Sequence, residues 1–146
     1  PVFHGSDTNA ALIGACKGNA QTAGVSGFVQ LRHAAVARLE APAAAAPGLV
    51  IANPPYGERI GVRGDSTIPE DELSTSFYSA MGTTLKQRFA GWTVFLFTAD
   101  LGLPKLLRLK EARKTPFFNG ALECRLFRFD MVAGYNRREE AKPKNI

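Results

Sequence analysis

A chain of 146 residues is the length of one domain, and its 45% apolar and 21% charged residues exclude wholesale disorder. No apolar run approaches the roughly 20 residues that span a bilayer, and no stretch resembles a signal peptide. The net charge of +5 is uneven: seven Lys and Arg face eight Asp and Glu up to Pro104, but eleven face five from Lys105 onward. Such asymmetry suits either a polyanionic partner or a solvated basic tail. Cys16 and Cys124 have no second Cys or His at metal-ligand spacing, so a buried reduced pair is expected rather than a zinc site, which fits a cytoplasmic protein.

The chain opens directly on a strand, Val2-Phe3-His4-Gly5-Ser6-Asp7, which ends in an acid. With no initiator Met before it, a start inside a larger protein is expected. Residues 8–23 read as a helix capped by Asp7 or Thr8, with Leu12, Ile13 and Cys16 on one face and Gly24 as its stop. Gly27-Phe28-Val29-Gln30-Leu31 alternates as a second strand. Residues 40–48 are a Pro-bounded loop. Leu49-Val50-Ile51-Ala52 is continuously apolar, as a strand buried on both faces should be. After a Gly- and charge-rich stretch over 57–69, a helix is predicted over 71–89, with Leu73, Phe77, Met81 and Leu85 at a spacing of four. Trp92 to Phe97 is another buried strand, and a short helix follows over 101–109.

Asn119-Gly120 then separates two β-rich runs, 111–118 and 122–131, which predicts a hairpin. Residues 134–146 are polar and charged, and a flexible tail is expected there. The sum is an α/β fold: strand–helix–strand units giving a mostly parallel sheet with helices on both faces, ending in an antiparallel hairpin. Ligands of such sheets sit at the carboxyl ends of the strands, where Asp7 and Asn53 both fall.

Asn53-Pro54-Pro55-Tyr56 directly after an apolar strand suits the methylation of a planar amino group. The lone pair of such a nitrogen is delocalised, so it is a poor nucleophile. The Asn53 carboxamide oxygen and the Pro54 carbonyl can each accept one amine hydrogen, turning the lone pair toward a methyl sulfonium. Prolines fix φ, bias the preceding residue toward extended backbone and offer no competing N–H. Tyr56 supplies a face for base stacking, typically about 1–3 kcal/mol per base, and a base inside a helix would be flipped out to reach it. Read simply as a turn after a strand, the same residues are ordinary turn formers.

The run Asn53-Pro54-Pro55-Tyr56-Gly57-Glu58-Arg59-Ile60-Gly61 resembles the corresponding run of the bacterial 23S ribosomal RNA guanine-N2 methyltransferases. Asn119-Gly120-Ala121-Leu122-Glu123-Cys124-Arg125-Leu126-Phe127 is similar to the hairpin that closes their methyltransferase domain. The resemblance covers most of the chain from Gly5 to about Phe129. It implies an N-terminally truncated class I methyltransferase fold (Rossmann-like), with residues 1–133 forming a partial domain.

The same resemblance implies S-adenosyl-L-methionine as cofactor, 23S rRNA as substrate and a THUMP RNA-binding domain upstream. It casts Asn53, Pro54, Pro55 and Tyr56 as the catalytic loop. Asp7 and Asn53 become cofactor-binding residues, the Asp7 carboxylate accepting from the ribose hydroxyls; as a helix cap, Asp7 would serve structure alone. Two departures stand out. The Gly-rich loop that follows the first strand in that family is absent. Ala35, ahead of Val36-Ala37-Arg38-Leu39, stands where the family carries an acid near the adenine.

Arg59 and Arg63 are candidates to hold RNA phosphates, or else belong to a solvated loop. His4 and His33 are the only histidines and no Ser or Cys sits in a nucleophile elbow, so a hydrolase triad has no support. DNA adenine-N6 and protein glutamine-N5 methyltransferases share the tetrapeptide and remain as alternatives. So does a non-catalytic, RNA-contacting fragment.

Overall fold

Alternation at the start of the chain produces β1 (Phe3–Asp7), and the polar residues after it produce a capped helix, α1 (Ala10–Thr22). The computed structural model describes residues 2–43, 46–55 and 70–132, apart from the side chains of residues 70–74. The cap of α1 is Asn9, not Asp7 or Thr8: its Oδ1 accepts from the Ala11 N–H at 2.9 Å and the Leu12 N–H at 3.4 Å. Asp7 acts one step earlier, its Oδ1 accepting from the Asn9 N–H at 2.7 Å. Gly24 ends the helix with φ +71°, as expected.

Ile13 is the only buried side chain of α1; Leu12 and Cys16 face solvent. The expectation of two buried cysteines is therefore corrected: Cys124 is buried, whereas Cys16 is exposed. A 3-10 turn at Ser26–Phe28 delays the second strand to β2 (Val29–His33).

β3 (Leu49–Ala52), α2 (Glu70–Arg88), β4 (Thr93–Thr98) and α3 (Leu103–Leu107) follow within two residues or so of the predicted spans. β5 (Arg113–Asn119) and β6 (Leu122–Asp130) form the closing hairpin. Its turn is displaced by one residue from the Asn-Gly pair. Asn119 still pairs with Leu122, and Gly120 takes positive φ at the first central position only, the pattern of a II′ turn.

The strands form two sheets rather than the expected continuous one. β1 and β2 pair in parallel, while β3, β4, β6 and β5 lie in that order, with β3–β4 parallel and the last three strands antiparallel. Between the two sheets lies an apolar cleft of about 480 Å³. Val2 with the body of β1 (Phe3 to Ser6), and the body of β3 (Leu49 to Ile51), wall it on two sides, with Phe89 and Trp92 also lining it.

The main core occupies one face of the four-stranded sheet. Val94 and Leu96 of β4 and Phe127 and Phe129 of β6 meet Tyr78, Met81 and Leu85 of α2 and Leu103 and Leu107 of α3. β3 is not buried on both faces as expected. Val50 and Ala52 pack against this core, but Leu49 and Ile51, on the other face, are 62% and 74% exposed. Of the hairpin's phenylalanines, Phe127 and Phe129 are buried in the core, whereas Phe117 and Phe118 are exposed.

α2 and α3 approach so closely that only glycine fits at position 82. A Cβ there would lie 2.1 Å from the Leu107 carbonyl oxygen, a backbone atom that cannot rotate away. Gly82→Ala would gain about 0.5–1 kcal/mol of helix propensity. It would also force overpacking that costs about 1–3 kcal/mol or more. The clash wins, and urea denaturation is expected to show a net loss of stability.

Candidate active site

The apolar run of β3 favours a strand, and the Pro pair after Asn53 cannot extend its ladder, so the chain leaves the sheet there. Asn53 is exposed, Pro54 buried and Pro55 half-buried. The loop is tied to α2: the Tyr78 hydroxyl donates to the Pro55 carbonyl oxygen across 23 residues of sequence. Tyr78 is fully buried, and its ring meets Phe77 edge-on at 5.3 Å. Burial, with the Asp100 carboxylate as a second cause, pushes its pKa up to about 12, so the hydroxyl keeps its proton to donate.

Asp100 lies in the turn after β4 and is itself oriented. The buried Thr98 Oγ1 accepts from its N–H at 3.0 Å, and its Oδ1 accepts from the Gly102 N–H at 2.7 Å. The carboxyl ends of β3 and β4 are thus held by side-chain bonds.

Asp7 closes β1, half-buried. One carboxylate oxygen is engaged by the Asn9 N–H, which fixes the direction of the group. The neighbouring end of β2 is tied to the same corner: the Ala34 N–H donates to the Asp7 carbonyl at 3.0 Å, and His33 Nε2 lies 2.8 Å from the Thr8 carbonyl. Ala35 is extended and leads into a 3-10 turn, Val36–Arg38, so no carboxylate stands at that position. The apolar cleft is not this site, because neither Asp7 nor Asn53 lines it.

Tyr56, Arg59 and Arg63 lie outside the described residues, as do residues 134–146. On the basic hairpin, Arg125 and Arg128 point to opposite faces, and each pairs with an acid two residues away. Arg125 meets Glu123 at 2.5 Å, and Arg128 meets Asp130 at 2.9 Å. Exposed pairs of this kind add little stability. Among the described residues no group of three or more His, Cys, Asp or Glu could hold a metal, and no helix is long and apolar enough to cross a membrane.

Sequence reasoning missed Tyr78, Thr98 and Asp100. The signal for Tyr78 was present. Tyr78, Met81 and Leu85 repeat at helical spacing, but Phe77 beside Tyr78 fits a spacing of four and draws attention away.

Known proteins share this architecture. A putative methyltransferase crystallised in complex with SAH superimposes with a TM-score of 0.74 at 25% identity, over 88% of this chain and 31% of that one. A putative RNA methyltransferase of Synechocystis sp. is 38% identical over 127 residues, 87% of this chain and 30% of its own length. A ribosomal RNA large subunit methyltransferase K/L of Hydrogenovibrio crunogenus is 33% identical over 144 residues, 99% of this chain and 18% of its own length. The chain therefore spans less than a third of these curated relatives.

The fold is that of the class I methyltransferases, with the expected α/β order and closing hairpin. Residues 1–128 match the family profile described as UPF0020, RMKL-like, methyltransferase domain. The chain belongs to that family of RMKL-like methyltransferase domains.

Proposed function

We propose that this chain is the cofactor-and-catalytic part of an S-adenosylmethionine-dependent N-methyltransferase that acts on the exocyclic amine of a guanine in 23S rRNA. The observation that carries the reading is the loop after β3. It offers the Asn53 amide to solvent while Pro54 is buried and the Pro55 carbonyl is bound by Tyr78. The names of the relatives, an RNA methyltransferase and a large-subunit rRNA methyltransferase, favour RNA over DNA or a peptide.

The residues present fit the cofactor. Asp7 is a half-buried acceptor of fixed direction at a strand's carboxyl end, suited to the two hydroxyls of a ribose. When bound, S-adenosylmethionine supplies an electrophilic methyl group. Asn53 Oδ1 and the Pro54 carbonyl each accept one hydrogen of the amine and hold its lone pair in line. Tyr56 stacks on the flipped base, and Arg59 and Arg63 hold RNA phosphates.

Residues 1–133 are read as part of a larger methyltransferase domain, within a protein that also carries a THUMP domain. The cleft between β1 and β3 favours the larger domain. Its walls are mostly apolar, and among the described residues β1 and β3 each pair along one edge, which suits one further strand.

The test is methyl transfer from S-adenosylmethionine by the longer protein, followed by mass spectrometry of the digested products. N2-methylguanosine from unmodified 23S rRNA is the expected result. N6-methyladenine in DNA or N5-methylglutamine in a peptide would replace this reading with one of its alternatives. Calorimetry of the 146-residue chain with S-adenosylmethionine separates an intact cofactor site, seen as tight binding, from a non-catalytic fragment.

A further inference from the structure

We propose that Tyr78 is a positioning residue for methyl transfer: its hydroxyl holds the Pro55 carbonyl, and through it the orientation of the Pro54 carbonyl and the Asn53 amide. The inference rests on the function proposed for the loop.

φ is fixed at both prolines, so the loop's remaining freedom lies largely in its ψ rotations. A bond to the Pro55 carbonyl restrains the last of these. No proline N–H is available to anchor the loop to a neighbouring strand, so the anchor comes from a side chain. Tyr78 can supply it because its own position is over-determined. Its ring is fully buried in the main core and packs edge-on against Phe77.

α2, which carries Tyr78, is itself clamped at three further points. The glycine-tight contact of Gly82 with Leu107 is one. Lys86 Nζ donates to the Arg108 carbonyl at 2.7 Å. Arg88 donates to the Leu39 carbonyl at 3.1 Å and pairs with Glu40 at 2.8 Å. The loop is thus referenced to the rigid α2–α3 layer. Precision at the loop matters because a displacement of about 1 Å in a catalytic geometry can cost roughly 100-fold in rate.

Tyr78→Phe keeps the ring and removes only the donor. In the longer protein, kcat is expected to fall roughly tenfold or more, with the KM for RNA and the affinity for S-adenosylmethionine unchanged. An unchanged kcat would overturn the proposal. So would a loss of kcat that only tracks a lower melting temperature and weaker cofactor binding, since that is the mark of a structural role.

If the wild-type protein transferred no methyl group to any substrate, the proposed function would fail instead. Positioning would then be read from the loop itself, by NMR on the 146-residue chain. Broadened and shifted Asn53 resonances in Tyr78→Phe are expected, and resonances identical to wild type would overturn it.

Discussion

Asn53→Ala is expected to lower the methyl-transfer turnover roughly 100- to 1000-fold, the range seen when one oriented polar group of a catalytic site is removed. Affinity for S-adenosylmethionine should change little, because on this reading the Asn53 amide does its main work on the amine. The substitution removes one of two acceptors that hold the amine's hydrogens, and the Pro54 carbonyl alone leaves the lone pair free to return to conjugation. Water can replace the lost acceptor only by reorganising at each turnover. Asn53 is exposed, so the loss of its side chain leaves no buried cavity and stability should stay within about 0.5 kcal/mol of wild type. Single-turnover methyl transfer, calorimetry with the cofactor and a urea melt on one preparation check the three statements together. A variant that kept most of its activity would remove Asn53 from the mechanism.

The order of elements was readable because strand and helix periods differ and the punctuation was strong. Gly24 ends α1 as expected, and the Asn-Gly pair marks the hairpin. The cap of α1 was not readable. Asp7, Thr8 and Asn9 are three consecutive residues that all cap well, and only the backbone path assigns the helix start to Asn9 and a turn bond to Asp7. The exposed face of β3 was hidden for another reason. An apolar run such as Leu49-Val50-Ile51-Ala52 reads alike whether one face or both are covered, since coverage depends on what packs there. The site was half legible. Asn53 and Asp7 fall at strand ends because of local sequence, whereas the Tyr78 bond joins groups 23 residues apart and follows only from the docking of α2.

Phe129→Ala is expected to have the opposite profile to Asn53→Ala, with a large loss of stability and no change in chemistry per folded molecule. Phe129 is fully buried on β6, paired in register with Val94 of β4 and 6.3 Å from the ring of Phe127. Removing a buried ring of this kind typically costs about 3–5 kcal/mol, while a whole domain is stable by only about 5–15 kcal/mol. The urea midpoint should therefore fall by roughly 1–5 M if the slope is about 1–3 kcal/mol/M. Phe118→Ala is the internal control: at 72% exposure the same truncation should move stability by no more than about 0.5 kcal/mol. The core that Phe129 fills also holds Tyr78, and with it the loop after β3. Activity should thus follow the folded fraction in Phe129→Ala and recover when the protein is cooled toward its stability maximum. In Asn53→Ala the fold is intact from the outset, so cooling should restore nothing. A Phe129→Ala protein that melted like wild type would mean that the face of the sheet under α2 and α3 is not the core that supports the loop.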